Sequence, residues 1–288
     1  PGSEGSAPTR EKSGKDSRGA KRLFSDTPLP WEALGKIEAQ LHFRADALVV
    51  PRLMFSDVVL KASVKDGVLE ISQLTAGSGD HGSLTATVVA DTRKTPPRVE
   101  CAATVDSFAI EQVLREKKTE SVLQGLVSSD LALNGQGDSI AELMAGLNGQ
   151  FQLTMGEGRL ANAKLEKWGS DLGANLFRLL NPAEDKGKFT PINCAVLVVP
   201  IDSGLARVQA LVVDSPRMQL RGQGEVNLDS ETLDIGLDPQ PKEGLQTGVL
   251  GKLSLSLSEL AQAVRLGGTL AQPSLTLDKG KAVETLGK

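Results

Sequence analysis

From Ile37 to Ala45 apolar and polar residues alternate without a fault. Ile37, Ala39, Leu41, Phe43 and Ala45 stand against Glu38, Gln40, His42 and Arg44. A period of two over nine positions predicts a β-strand with all its apolar groups on one face. The same pattern recurs roughly a dozen times along the chain. Val58, Leu60, Ala62 and Val64 oppose Lys61, Ser63 and Lys65, and Asp66-Gly67 then predicts a two-residue hairpin. Leu69 and Ile71 continue on the return strand, followed by Leu84, Ala86, Val88 and Ala90. After the Pro96-Pro97 break come Val99, Cys101, Ala103 and Val105. Each hairpin keeps the apolar face common, so Ile37, Leu41, Phe43, Leu60, Val64, Leu69, Ile71, Leu84 and Val88 are expected to share it.

Helical spacing is rarer. A short helix is expected after Pro30, which suits a first helical turn. From Ser107 the period turns helical through Phe108, Ile110, Val113 and Leu114. Asp138 is the expected N-cap of a helix carrying Ile140, Leu143, Met144 and Leu147, following a strand near 127–133. Phe151, Leu153 and Met155 then alternate and are expected to stop at Gly156-Glu157-Gly158. Leu165, Trp168, Leu172, Leu176 and Leu179 predict a long amphipathic helix over 164–181, ended by Asn181-Pro182. Strands follow near 191–201, 204–213, 216–228 and 231–237, then near 265–270 and 274–278. Residues 239–262 fit no single pattern. Gly222 and Gly224 inside a strand predict a bulge or a close backbone approach. The expected fold is mainly β: a large, mostly antiparallel sheet with a few short helices and one longer amphipathic one. Residues 1–21 read as a solvated linker, 22–120 as a first β block, and 121–288 as a second, continuous with it.

Composition narrows the function. The net charge of −4 among 288 residues argues against nucleic acid, which asks for a basic stripe. No apolar run approaches the roughly 20 residues that span a bilayer, so any membrane anchor is expected to lie outside this chain. Aromatic content is 3% with no tyrosine, low for a sandwich core filled with rings. Cys101 and Cys194 cannot make a structural zinc site alone; a disulfide between them is not readable from sequence, and buried free thiols are the expectation. His42 and His81 carry no associated carboxylate motif. Asp66, Asp80 and Asp91 fall at turns, where Asp is favoured for local hydrogen bonds. Ser203-Gly204 lacks the flanks of a nucleophile elbow, and no helix opens behind Gly222-Gln223-Gly224 as a dinucleotide site requires. Neither catalysis nor a cofactor is expected.

Four segments, taken in order, carry a resemblance. They are Arg22–Pro30 with the strand behind it; Leu147-Asn-Gly-Gln-Phe-Gln-Leu153 with Gly156–Leu160; Asp214–Met218 with Gly222–Leu228 and Thr232–Ile235; and Gly268–Asp278. Together they resemble the AsmA-like domain of bacterial AsmA-family envelope proteins. The resemblance implies a periplasmic segment of a protein anchored in the inner membrane of a Gram-negative bacterium. It also implies a curved sheet with a hydrophobic trough along which phospholipid, or another acyl-chain lipid, moves between envelope membranes. Pattern alone leaves open whether the apolar face is a trough or a closed core; the resemblance favours the trough. Its expected lining is the nine residues above with Val99, Val105, Phe151, Leu153, Val208, Val212, Leu220, Val226 and Leu228. The alternative reading is a scaffold in outer-membrane protein assembly that binds a partner protein through its sheet surface.

Overall fold

The computed structural model describes residues 22–50, 53–78, 82–113, 123–161, 188–242 and 264–277. A four-residue helix α1 (Trp31–Leu34) precedes β1 (Ala39–Val50), β2 (Leu53–Lys65), β3 (Val68–Ser78), β4 (Gly82–Asp91) and β5 (Arg98–Ala109). Helix α2 (Ile110–Val113) leads to β6 (Leu123–Gln136), then α3 (Ile140–Ala145) and β7 (Asn148–Ala161). The remaining strands are β8 (Phe189–Ile192), β9 (Cys194–Asp202), β10 (Leu205–Asp214), β11 (Met218–Asn227), β12 (Thr232–Pro241), β13 (Val264–Gly268) and β14 (Pro273–Leu277). All fourteen form one antiparallel sheet whose strands lie in chain order, with the short β8 paired to the far end of β7. The sheet crosses the division at residue 120 without a break, because β5 pairs with β6 from Arg98↔Gln136 to Ala109↔Leu126.

Chain-order pairing puts alternate turns at the same end of the sheet. One end gathers the turns at 66–67, 92–97, 137–147, 203–204, 228–231 and 269–272. Asp66-Gly67 (φ 50° and 74°) and Ser203-Gly204 (φ 50° and 74°) have both residues in the left-handed region, as a tight two-residue hairpin demands. Neighbouring turns at this end are laced by backbone hydrogen bonds. Thr92 N–H donates to Gly67 O, Gly137 to Pro97 O, Gly204 to Leu147 O, Leu228 to Gly204 O, and Leu270 to Glu231 O.

The Arg22–Trp31 segment runs along this laced end as a strap. Leu23 and Phe24 donate their N–H groups to the Glu231 carboxylate at 2.6 and 3.1 Å, and Arg22 Nε donates to it at 3.2 Å. Further on, Ala141 N–H donates to Ser25 O, Leu29 N–H to Asp138 O, and Trp31 Nε1 to Gly137 O. The carboxylate of Glu231 is buried. Burial pushes its pKa up, but the two N–H donors and Arg22 outweigh that and hold it below the ordinary glutamate value.

The structure differs from the expected elements in several places. The N-cap of α3 is Ser139, not Asp138: Ser139 Oγ accepts from Glu142 N–H while Glu142 Oε2 accepts from Asp138 N–H. This reciprocal pair needs a hydroxyl three residues before a Glu, which Ser139 supplies. Strand β5 continues to Ala109, so the helical spacing from Ser107 amounts to one turn. Strand β7 does not stop at Gly156; it runs through Ala161, because Gly158 lets its backbone close on β6 where a side chain would strike Gln124 O. The apolar 191–201 run is two strands, with Asn193 between them bonded through its side chain to Asp214. The expected helix 164–181 lies outside the described residues, as do His81, Asp80 and the linker 1–21.

Candidate functional site

Strand register decides which side chains share a face. Across the first hairpin, Leu41 opposes Ala62 and Phe43 opposes Leu60. Ala62 then opposes Ile71, Ile71 opposes Val88, Val88 opposes Cys101, and Cys101 opposes Leu133. A parallel row passes from Leu84 through Val105, Ser129, Leu153, Leu197, Leu211 and Gly222 to Leu237 and Val264. No position in either row carries a charge. One uncharged face therefore runs from β1 to β13, and β-bulges at 208/211 and in β2 and β3 keep it in phase.

This face is the inner side of the curl, as aromatic packing shows. Phe108 lies on it, opposite Val127, and the Phe108 ring meets that of Phe55 with centroids 6.1 Å apart. These rings belong to β5 and β2, roughly 14 Å apart along a flat sheet of three strand steps. Only a sheet that bends toward its apolar face brings them together. Val58, Ala76 and Phe108 are buried where it does so.

The two halves of the face differ. On β1, Leu41 is 50% exposed and Phe43 40%, and Ile37 just before it is 49%. Toward β12 the side chains close up: Leu237 is 2% exposed, Leu220 5% and Val208 7%. Val127, Met155, Ile192, Val199, Ala206, Ile235 and Val264 join these three in one packed cluster. Residue size accounts for part of the contrast. Facing positions on β1–β5 include the short Ala39, Ala45, Ala62, Ala86 and Ala103, while Ala76 and Ala90 on the same face are buried. On β9–β12 the equivalents include Leu197, Leu211, Leu220, Ile235 and Leu237, which fill the space.

Most expected lining residues lie where the alternation puts them. Leu41, Phe43, Leu60, Val64, Leu69, Ile71, Leu84, Val88, Val99 and Val105 share the face across β1–β5. Phe151, Leu153, Val208, Leu220 and Val226 continue it, while Ile37 stands at its margin ahead of β1. Two do not belong. Val212 opposes Arg221 and Val196 on the other face, because the bulge between Val208 and Leu211 reverses the parity of β10. Leu228 lies past the end of β11, in the turn bonded to Gly204. Leu74, Ala103 and Leu131 lie on the same face, in the row between Leu60 and Phe151.

Across β3–β7 the opposite face is mainly polar. It carries a shallow depression of about 640 Å³ bordered by Thr75, Thr85, Thr87, Thr104, Gln150 and Gln152. Asp130 and the short Ala102 and Ala132 share this side with them, while Leu74, Ala103 and Leu131 belong to the reverse face. His42 also faces this way, opposite Lys61. Among the described residues no group of three or more His, Cys, Asp and Glu is placed to hold a metal. Cys101 and Cys194 are free thiols, half-buried rather than buried, on β5 and β9. No helix among the described residues is long and apolar enough to cross a membrane.

An uncharged face, concave and wide enough to leave side chains half exposed, frames the comparisons with known proteins. The AsmA family model matches residues 3–211. The chain belongs to the AsmA family. It is 24% identical over 190 residues to the AsmA family protein YhjG of Escherichia coli (strain K12), an alignment covering 66% of the chain and 27% of YhjG. The chain thus spans about a quarter of that relative's length. No solved structure matches it.

Proposed function

We propose that this AsmA-family chain is a non-catalytic segment that binds acyl-chain lipid in its β trough and passes it along between the membranes of a Gram-negative envelope. The supporting observation is the uncharged, inward-curving face whose side chains stand open on β1 and are partly covered across most of β2–β5. Energetics fit the role. Each methylene removed from water contributes about 0.8 kcal/mol, so an ordinary lipid tail gains of order 10 kcal/mol. A closed pocket would hold such a tail too tightly to release it. A row of near-equivalent Leu, Val, Ile and Ala positions lets it slide at nearly constant energy. The headgroup would remain in solvent at the trough's rim, so no phosphate site is needed, and selectivity among lipids is expected to be low. In this reading the parent protein is tethered to the inner membrane and this segment works in the periplasm.

The test is native mass spectrometry of protein purified without detergent, paired with lipid transfer between donor and acceptor vesicles. Wild-type protein should carry phospholipid-mass adducts and speed transfer. Leu41→Asp and Leu60→Asp should stay folded and lose both properties. Lipid-free wild-type protein that transfers nothing would sink the proposal.

A further inference from the structure

A period of two carried unbroken along β2 and β5 would turn Ser56 and Ser107 onto the apolar face and leave Phe55 and Phe108 on the other. The fold reverses both. Register between β2 and β3 slips between Ser56 and Val59, and register between β5 and β6 slips between Val105 and Phe108. Asp57 and Ser107 absorb these slips with φ of 49° and 52°, in the left-handed region. Ser56 accordingly lies on the polar side, where a side chain on its partner Gly77 would strike its hydroxyl. Among the described residues the other non-glycine residues with positive φ are Asp66, Ser203 and Glu231, and all three lie at turns. Asp57 and Ser107 hold this conformation inside strands. Strained backbone of this kind persists only where the surroundings over-determine it, and it clusters where function requires it.

What the two bulges bring about is one contact. The Phe55 and Phe108 rings meet at 6.1 Å between centroids, tilted by 49°, spanning β3 and β4 at the rim away from the strap. Just past Phe108 the chain turns into α2, which approaches β2 as well as β6. Ser107 is fixed from the polar side: its N–H donates to Ser128 Oγ, and its hydroxyl donates to the Asp106 carboxylate. Ala76, on the β3 strand spanned by the rings, is buried, while Phe55 itself is half-buried. A single ring pair is a weak tie beside a packed core, so it can part without the sheet unfolding.

We propose that Phe55 and Phe108 form an aromatic clasp over the trough, which shuts the β2–β5 section at this rim and parts to let an acyl chain in or out. The clasp presupposes the lipid reading above and deepens it, by naming where a chain is exchanged with a membrane. While the rings touch, a bound chain slides along the trough but does not leave sideways over this rim.

Two readouts on the full chain test the clasp, with Phe55 varied because it is the less buried ring. The first is hydrogen exchange of lipid-free protein. Phe55→Ala should quicken exchange at Ile110–Val113 by about threefold or more, while the strap end of β5 keeps its rates. The second is the rate at which a fluorescent-tailed phospholipid enters the protein from vesicles and returns to them. Loss of a gate speeds entry and exit alike, whereas loss of lining speeds exit alone. Phe55→Ala should therefore quicken both by about threefold or more, and Phe55→Tyr, which keeps a ring, should match wild type. Phe43→Ala, which removes a ring from the open face, should quicken exit only. Unchanged hydrogen exchange in Phe55→Ala would overturn the clasp. Faster exit with unchanged entry would reduce Phe55 to lining and overturn the gate while the lipid reading stands. A wild-type protein that takes up no phospholipid would overturn that reading and the gate with it.

Discussion

The β1 edge and the β9–β13 region share one alternating pattern and one continuous face, yet one stands half open and the other is packed. Leu41 and Leu237 are both apolar residues on that face, 50% and 2% exposed. Periodicity sets which way a side chain points. Whether the face is covered depends on side-chain volume and on what the curl brings opposite, which no local pattern encodes. In this reading the packed half anchors the fold and the open half is left for a ligand.

The largest expected effect breaks the packed half. Leu237→Asp would bury an unpaired charge in the cluster with Leu220, Ile235 and Val264 and should unfold the sheet, costing about 4 kcal/mol or more. Leu41→Asp, on the same face, should cost under about 1 kcal/mol. Chemical denaturation of the two variants side by side measures the contrast. Equal losses would show that the β1 end is core as well.

Next in size is the clasp of the strap. Glu231→Gln replaces an acceptor oxygen with a donor facing backbone N–H groups, and should destabilise by about 2–4 kcal/mol. Hydrogen exchange should quicken at Leu23 and Phe24 while β3 and β4 keep their protection. The pH dependence follows from the lowered pKa. A carboxyl held below its unfolded value contributes stability fully above about pH 4.5 and loses it as pH falls through the folded value. The wild type should therefore loosen at the strap below pH 4.5, and the Gln variant should lack that step.

A smaller effect is expected at Gly224, whose φ of 151° and close approach to Asp234 O leave no place for a Cβ. Gly224→Ala should cost about 1–3 kcal/mol by thermal melting. Smallest is Asp91, whose bond from Arg93 holds its carboxyl down to about 2. Its NMR titration should return toward 3.8 in Arg93→Ala, with little change in overall stability since the pair is exposed.

Much of this fold was legible in the sequence because its determinants are local. Strict alternation located the strands, and Asp66-Gly67 located the hairpin that structure confirms at φ 50° and 74°. The glycines at 222 and 224 announced a close approach, now seen against the Leu211 side chain and Asp234. What stayed hidden was non-local. Val212 leaves the apolar face because of a bulge two residues earlier, and a bulge leaves no periodic trace when the flanking residues, Gln209 to Val213, are mostly apolar. The partnership of Glu231 with Leu23 and Phe24 spans more than 200 positions, and nothing near either end signals it.

The central claim, that the half-open apolar face holds lipid, predicts a signal with the period of the strand itself. A photo-reactive phenylalanine analogue placed singly at positions 60, 61, 62 and 63 of β2, then irradiated in the presence of radiolabelled phospholipid, reads it directly. Positions 60 and 62 should capture lipid, while 61 and 63 on the polar face should not. Capture that ignores this alternation, or that favours the polar face, would contradict the account.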